Sequence, residues 1–327
     1  MGNRNRSSQA TASAYGWVFQ VGAGIYLMLE KVKDFTHIEM ESKNEDIEIT
    51  YADGSKLYAQ AKSVTDPNDK TNIIANLSKS LKTLGKADDG KTRLVYINNY
   101  PDPLTKNNNP HYFYGKHAFN MILDNEKQII KEKAKDNFSF DNFEIINIKF
   151  DGNDDDQRFA TVTERIKNVL GEANVDMGYA NKIMKIWIAD LICNASKKNI
   201  KMDKADIIYP LLQVFLEQTE SEESYNKVCD NDLYDETTSK YIDYINSSFK
   251  KCEITLKIAG DYQSTRDANR NINIYDFIKS NWINYKPMFS TMNFDENMEE
   301  SFIKMFLLTI LKKKDRITNI KRAVNLW

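Results

Sequence analysis

The chain has 327 residues, 41% of them hydrophobic and 28% charged, with a formal net charge of −2. That length and apolar content suit one large or two modest globular domains, and exclude a disordered or disulfide-stapled chain. The near-neutral charge counts against constitutive binding to nucleic acid through charge alone.

Further classes fall away from the sequence. Cys193, Cys229 and Cys252 lie far apart with no metal-ligand spacing, which points to free thiols in a reducing cytoplasm. No apolar run is expected to reach transmembrane length, so no membrane is expected as a partner. The opening MGNRNRSS is expected to have no apolar segment of signal-peptide type behind it. Ser7 rather than position 6 carries the hydroxyl, so the myristoylation pattern fails too.

In chain order, residues 1–10 are polar and expected to be unstructured. Thr11 to Val32 predicts a helix with Tyr15, Val18, Phe19, Ile25, Leu27, Met28 and Leu29 on a broad apolar face. Gly16, Gly22 and Gly24 lower its propensity and allow close packing. Gln20 and Glu30 lie on or beside it. Phe35 to Met40 reads as a short strand or as the lead-in to a hairpin.

The segment from Glu39 to Lys62 predicts that β-hairpin. Ile47 and Ile49 alternate with Asp46 and Glu48, Asp53-Gly54 is a strong hairpin-turn signal, and Lys56 to Lys62 returns as the second strand. Gln60 and Lys62 share a face because strand side chains repeat every second residue. With Asp46 on that side, a carboxylate, an amide oxygen and an ammonium converge. Asp46 can hold a divalent cation, the Gln60 carbonyl can be a neutral oxygen ligand, and Lys62 can orient a water or offset phosphate charge.

After a polar loop with Pro67, Asn72 to Leu84 predicts an amphipathic helix, with Lys79, Lys82 and Lys86 on or just past it. These lysines read as a solvated face or as a phosphate-contacting edge for DNA. Thr92 to Asn98 predicts a buried strand, His117 to Lys135 a helix, and Phe143 to Phe150 another strand. Gly85 to Thr92 matches the pattern G-x-x-x-x-G-K-[ST]. A phosphate-binding loop must leave a strand and enter a helix, and this one does the reverse. Gly85 reads as a helix C-cap. His111 and His117 match no zinc spacing.

The hairpin residues resemble the PD-(D/E)xK nuclease superfamily, in the branch where Gln replaces the second acid: Glu39 or Glu41, then Asp46, then Gln60-Ala61-Lys62. The stretch from Ser8-Gln9-Ala10 to Tyr15-Gly16-Trp17-Val18-Phe19-Gln20 resembles the opening of one subgroup, the double-stranded DNA endonuclease domain of bacterial anti-phage effectors of the CBASS and Lamassu types. Gln9, Ala61 and Trp17 depart from the usual Gly, Val and Phe without removing a catalytic atom. The resemblance covers about the first 150 residues. It implies an α/β restriction-endonuclease-like domain at 1–150, and the remainder, 151–327, reads from its periodicity as a mainly α-helical docking or regulatory domain. It also implies Mg²⁺ or Mn²⁺ held by Asp46 and Gln60, with the Ala61 carbonyl and Glu39 or Glu41 as further donors. Gln20 and Glu30 would be supporting residues, although pairing with a nearby lysine is the plainer reading of Glu30. A Gln in place of an acid leaves less negative charge, so one metal is expected rather than two. The implied partners are double-stranded DNA, further copies of the chain when active, and an SMC-like ATPase with an accessory subunit. The competing reading is a catalytically inactive nuclease fold that binds DNA or a protein partner.

The acidic turn Asp151 to Asp156 marks the expected boundary. Beyond it, helices are predicted over Asp156–Leu170, Tyr179–Ala195, a segment capped by Asp203 and kinked at Pro210, Tyr241–Phe249, Tyr275–Trp282 and Glu299–Lys313. Cys252 to Ile258 reads as an isolated strand. Lys312, Lys313, Lys314, Arg316, Lys321 and Arg322 read as a basic tail. No catalytic dyad or cofactor fingerprint appears in this half.

Overall fold

The structure is a computed structural model that describes residues 4–42, 45–66, 69–104, 113–134, 137–195, 201–247, 252–292 and 294–326; for residues 4–10 and Cys252 it describes the backbone alone. It is an α/β protein with one seven-stranded mixed sheet and is mostly helical by residue. The chain forms two compact units: Met1–Val169 with Ala180–Lys204, and Leu170–Tyr179 with Ala205–Trp327.

In the first unit, α1 (Arg4–Glu30) precedes β1 (Phe35–Met40), β2 (Ile47–Tyr51) and β3 (Lys56–Lys62). Then come α2 (Ile73–Ala87), β4 (Arg93–Asn98), β5 (Gly115–Ala118), α3 (Asp124–Lys133) and β6 (Phe143–Asn147). The unit continues with α4 (Asp155–Arg158), most of α5 (Ala160–Glu172), α6 (Ala180–Ala195) and β7 (Met202–Asp203). Sheet order is β5-β6-β4-β3-β2-β1-β7. β3, β4 and β6 run parallel, and the other pairings are antiparallel.

The expected boundary near Asp151 falls inside this unit. The reason is strand pairing: β7 adds to the edge of β1 through His37↔Asp203 and Ile38↔Met202, which ties the segment after α6 to the sheet.

The β2–β3 hairpin forms as its sequence dictates. Ile47 pairs with Ala59 and Ile49 with Leu57. Gly54 takes φ +80°, which a residue with a Cβ adopts only at a cost, and the Asp53 carboxylate accepts from the Ser55 N–H at 2.9 Å and its hydroxyl at 2.6 Å.

The two faces of the sheet are covered by different helices. On one face α1 lies so close that a Cβ on Gly24 would meet the Met40 sulfur at 2.9 Å. The other face carries Tyr58, Leu94 and Tyr96 beneath Leu77, Leu81 and Leu84 of α2, all buried. Burying each such leucine contributes about 1.5–3 kcal/mol.

Several expectations need correction. The first helix begins at Arg4, seven residues before the expected start, so residues 4–10 are not unstructured. Its Thr11–Glu30 portion is long and apolar enough to cross a membrane by length and composition, contrary to the expectation of no such run. It holds one charged residue, Glu30, and its glycines do not interrupt its apolar character. Phe19, Val21, Ala23, Ile25, Leu27 and Met28 are buried within the unit, as in a core helix.

The helix expected from His117 starts at Asp124, because His117 and Ala118 pair with Ile145 and Glu144 as an edge strand. Gly85 lies inside α2 rather than capping it, and Gly90 with φ +77° makes the turn into β4. The helix-to-strand direction of that glycine-rich segment stands as read. Pro67 and His111 lie outside the described residues.

The second unit contains α7 (Lys204–Leu216, apart from Lys204), α8 (Glu222–Tyr225), α9 (Tyr234–Ser247), α10 (Cys252–Ala268), α11 (Ile274–Asn281), α12 (Glu296–Lys312) and α13 (Lys314–Val324). Pro210 sits within α7 without ending it. The expected strand at Cys252–Ile258 is the first part of α10. Its alternating residues suggest a strand, but Thr255 and Ile258, three apart, are the buried pair. The basic tail runs from Lys312, the last residue of α12, through Lys313 into α13, an amphipathic helix with Ile317, Ile320 and Val324 buried. α12 is the centre of this unit: Phe302 to Leu311 are all buried, and Phe302 and Phe306 meet Phe289 and Tyr244 edge-on. Among the described residues no disulfide forms; Cys193 is exposed and Cys229 is buried.

Candidate active site

The candidate residues meet where β3 ends and β2 begins. β2 starts at Ile47, so Glu45 and Asp46 belong to the incoming loop. That loop is held by backbone and side-chain bonds together. Glu41 takes φ +50° and its N–H donates to the Asp46 carbonyl at 2.9 Å, while the Ser42 hydroxyl accepts from the Glu45 N–H at 3.0 Å.

Asp46 reaches across to β3. Its Oδ2 accepts from Lys62 Nζ at 2.7 Å and from the Ala61 N–H at 3.0 Å. Lys62 Nζ also donates to the Ala61 carbonyl at 3.0 Å. Both side chains are about one-fifth exposed, so the pair is open to solvent and to a ligand. The expected convergence of Asp46 and Lys62 is therefore present.

Gln60 is buried, and its amide nitrogen donates to Glu45 Oε2 at 2.8 Å. Glu45 was not among the expected site residues. It is only 4% exposed, and its Oε1 is buried with no hydrogen-bond partner. Burial pushes its carboxyl up to about 7. The Asp46 charge adds to that rise, while the Gln60 hydrogen bond and the Lys62 and Lys86 charges oppose it. Strand alternation hides this residue, because a position two before Ile47 should share the face of Ile47. The loop preceding β2 breaks that alternation and turns Glu45 to Gln60. The available signal was the adjacency of two acids at a strand entrance.

Gln20 of α1 supports the same loop. Its amide nitrogen donates to Glu41 Oε1 at 2.8 Å and to the Asp46 carbonyl at 3.0 Å. Glu41 is thereby linked to Asp46, whereas Glu39 lies in β1 opposite Glu48. Glu30 is elsewhere: it bonds Arg93 at 2.6 Å and Lys116 at 2.8 Å, a cation pairing in place of a metal-supporting role. Lys79, Lys82 and Lys86 are exposed on α2, and the Lys86 charge acts on Glu45.

Mg²⁺ or Mn²⁺ can be tested against this donor set. The Lys62 ammonium is held by the Asp46 carboxylate and the Ala61 carbonyl, two hard oxygens of the kind a small divalent cation takes. Mg²⁺ keeps several waters and needs only one or two carboxylates. Asp46 and the Ala61 carbonyl, brought together on Lys62, fit such an ion, and the Gln60 amide oxygen is a further donor of the right kind, with Glu41 linked to Asp46 through Gln20. Among the described residues no three His, Cys, Asp or Glu side chains form a metal group, so the set is a mixed one.

No protein-family model matches the chain, and no curated protein matches it. Among solved structures, it is similar to one titled as the structure of the Cap4 SAVED/CARF-domain containing receptor of Moraxella osloensis. The identity is 15%, the match covers 60% of this chain and 47% of that one, and the TM-score is 0.37. The match thus spans less than half of the receptor's length, and a likeness at that score says nothing about site or activity here.

Proposed function

We propose that this protein is a metal-dependent endonuclease of the PD-(D/E)xK type, acting on double-stranded DNA in anti-phage defence. The observation that carries the reading is the Asp46–Lys62 pair at 2.7 Å, closed across one hairpin with Gln60 beside it. The order α1, β1 to β3, α2, β4 supports a restriction-endonuclease-like core. The position also supports it, since ligands of open α/β sheets collect at the carboxyl ends of parallel strands, and β3 and β4 are parallel.

In this reading Asp46, the Ala61 carbonyl and the Gln60 amide oxygen would hold the ion. The ion would supply polarisation of the phosphate and a lowered pKa for the attacking water. Lys62 donates hydrogen bonds from its ammonium, orienting the water or offsetting charge on the phosphate. Asp46 fixes Lys62 in place. Water adds at phosphorus, losing a proton to solvent, and the P–O bond to the leaving sugar oxygen breaks as that oxygen takes a proton from solvent. Gln20 braces the loop that presents Asp46.

A net charge of −2 gives one copy little hold on duplex DNA, whose binding rests on phosphate contacts. One site also cuts one strand per encounter. Clustering of copies, through self-association or through an SMC-like ATPase and accessory subunit, relieves both limits. The test is cleavage of supercoiled plasmid by the full chain, clustered through a fused dimeriser, with Mg²⁺ and with EDTA, beside Asp46→Ala. Mg²⁺-dependent cutting that Asp46→Ala removes, together with its metal affinity, is the expected result. Cutting that survives Asp46→Ala overturns the assignment.

A further inference from the structure

We infer that Glu45 is a positioning residue that sets which end of the Gln60 amide faces the metal-binding oxygens. The inference rests on the nuclease reading and deepens it. A side-chain amide has a donor end and an acceptor end of nearly equal shape, and only its surroundings choose between them. Only the acceptor end can ligate a cation. The Glu45 carboxylate accepts from Gln60 Nε2 at 2.8 Å in a buried setting, which commits the nitrogen to Glu45 and leaves the oxygen for the other side. Outer partners that orient a ligand in this way are worth about ten- to a hundredfold in metal affinity.

Two observations separate this role from ordinary packing. Glu45 is almost fully buried, yet among the described residues it forms no ion pair; Asp46 takes the nearby Lys62 ammonium. Its Oε1 is buried and unpartnered. An acid kept at that cost for the fold alone would be replaced by an apolar residue with a gain in stability. The arrangement also accounts for a glutamine at position 60 of this chain. A carboxylate there would face the buried Glu45 carboxylate, and two like charges at hydrogen-bond distance cannot both ionise.

The test exchanges the partners. Mn²⁺ affinity is measured by calorimetry on the full chain, with the thermal midpoint recorded for each variant. Glu45→Ala frees the amide to turn, and affinity falls by about tenfold or more. Gln60→Glu alone brings the two acids together, takes up a proton on folding and lowers the midpoint. The double variant Glu45→Gln/Gln60→Glu restores one donor facing one acceptor with the roles reversed. Its midpoint and its Mn²⁺ affinity return to the parent level or above. Should the double variant behave as Gln60→Glu alone, or Glu45→Ala bind Mn²⁺ as tightly as the parent while folded, the positioning role is wrong and the nuclease reading stands. Should the folded parent bind no Mn²⁺, both fall.

Discussion

The first unit carries two clusters of charged side chains, and they solve the problem of buried charge in opposite ways. In one, Arg93 donates to Glu30 at 2.6 Å and to Glu144 at 2.6 Å, while Lys116 reaches Glu30 at 2.8 Å and Glu144 at 3.1 Å. Two acids meet two cations, and every carboxylate oxygen is used. Burial alone would raise Glu30, but Arg93 and Lys116 outweigh it and hold its carboxyl below the usual range. In the other cluster Asp46 and Lys62 pair, and Glu45 is left with a single amide donor and one oxygen unpartnered. There burial wins, and the carboxyl rises to about 7. In the first cluster only Arg93 Nη1 is left buried without a partner; in the second it is an acid that is short of partners, beside an ion pair open to solvent, and the proposed function rests on that difference.

The sharpest way to break this comparison is to open the closed network. Arg93→Ala leaves the buried Glu144 and the partly buried Glu30 facing one partly exposed lysine, and should cost about 3 kcal/mol or more in a denaturant titration. A cost under about 1 kcal/mol would mean that Glu30 and Glu144 are not held by Arg93 in the way described. At the open cluster the effect should fall on activity. Lys62→Ala should lower cleavage by about a hundredfold or more, while stability moves by no more than about 1 kcal/mol because the pair is partly exposed. A large loss of stability with cleavage retained would reverse the assigned roles of the two clusters.

The smallest effect is a difference in pH dependence. Glu30 has a folded pKa below its unfolded value, so its contribution is present above that unfolded value and is lost as pH falls through the folded one. Glu45 has a folded pKa raised from 4.5 to about 7, so its contribution is full below 4.5 and is lost as pH rises through 7. Thermal midpoints in EDTA for the parent and Glu45→Gln should diverge between pH 4.5 and 7, the parent losing ground as pH rises. Parallel curves would show that Glu45 keeps an ordinary carboxyl in the folded state.

Much of this site was legible in the sequence because strand periodicity and turn chemistry are local. Asp53-Gly54 places the turn, and the alternation of Leu57, Ala59 and Ala61 with Gln60 and Lys62 places the face. Glu45 was not legible, because the loop geometry that turns it depends on Gln20 from a distant helix and on the positive φ of Glu41. The choice between Glu39 and Glu41 as the neighbour of Asp46 is likewise decided by that loop. In the helical unit, the register of α10 against α12 overrides the strand-like alternation of CEITLKI. The lysines after Thr309 read as a tail until the packing of α13 is known. Lys313, between α12 and α13, is half-buried, and burial lowers its ammonium to about 8.

The claim that the open cluster is a nuclease centre is tested most directly by plasmid cleavage with the full chain, fused to an inducible dimeriser, in Mg²⁺ at physiological salt. Sedimentation in the same buffer reports the assembly state. The account predicts that the monomeric chain is nearly inert, that forced dimers linearise the plasmid, and that Lys62→Ala dimers do not. Linearisation by Lys62→Ala dimers at the parent rate, or no cutting by folded, Mg²⁺-supplied parent dimers, would contradict it.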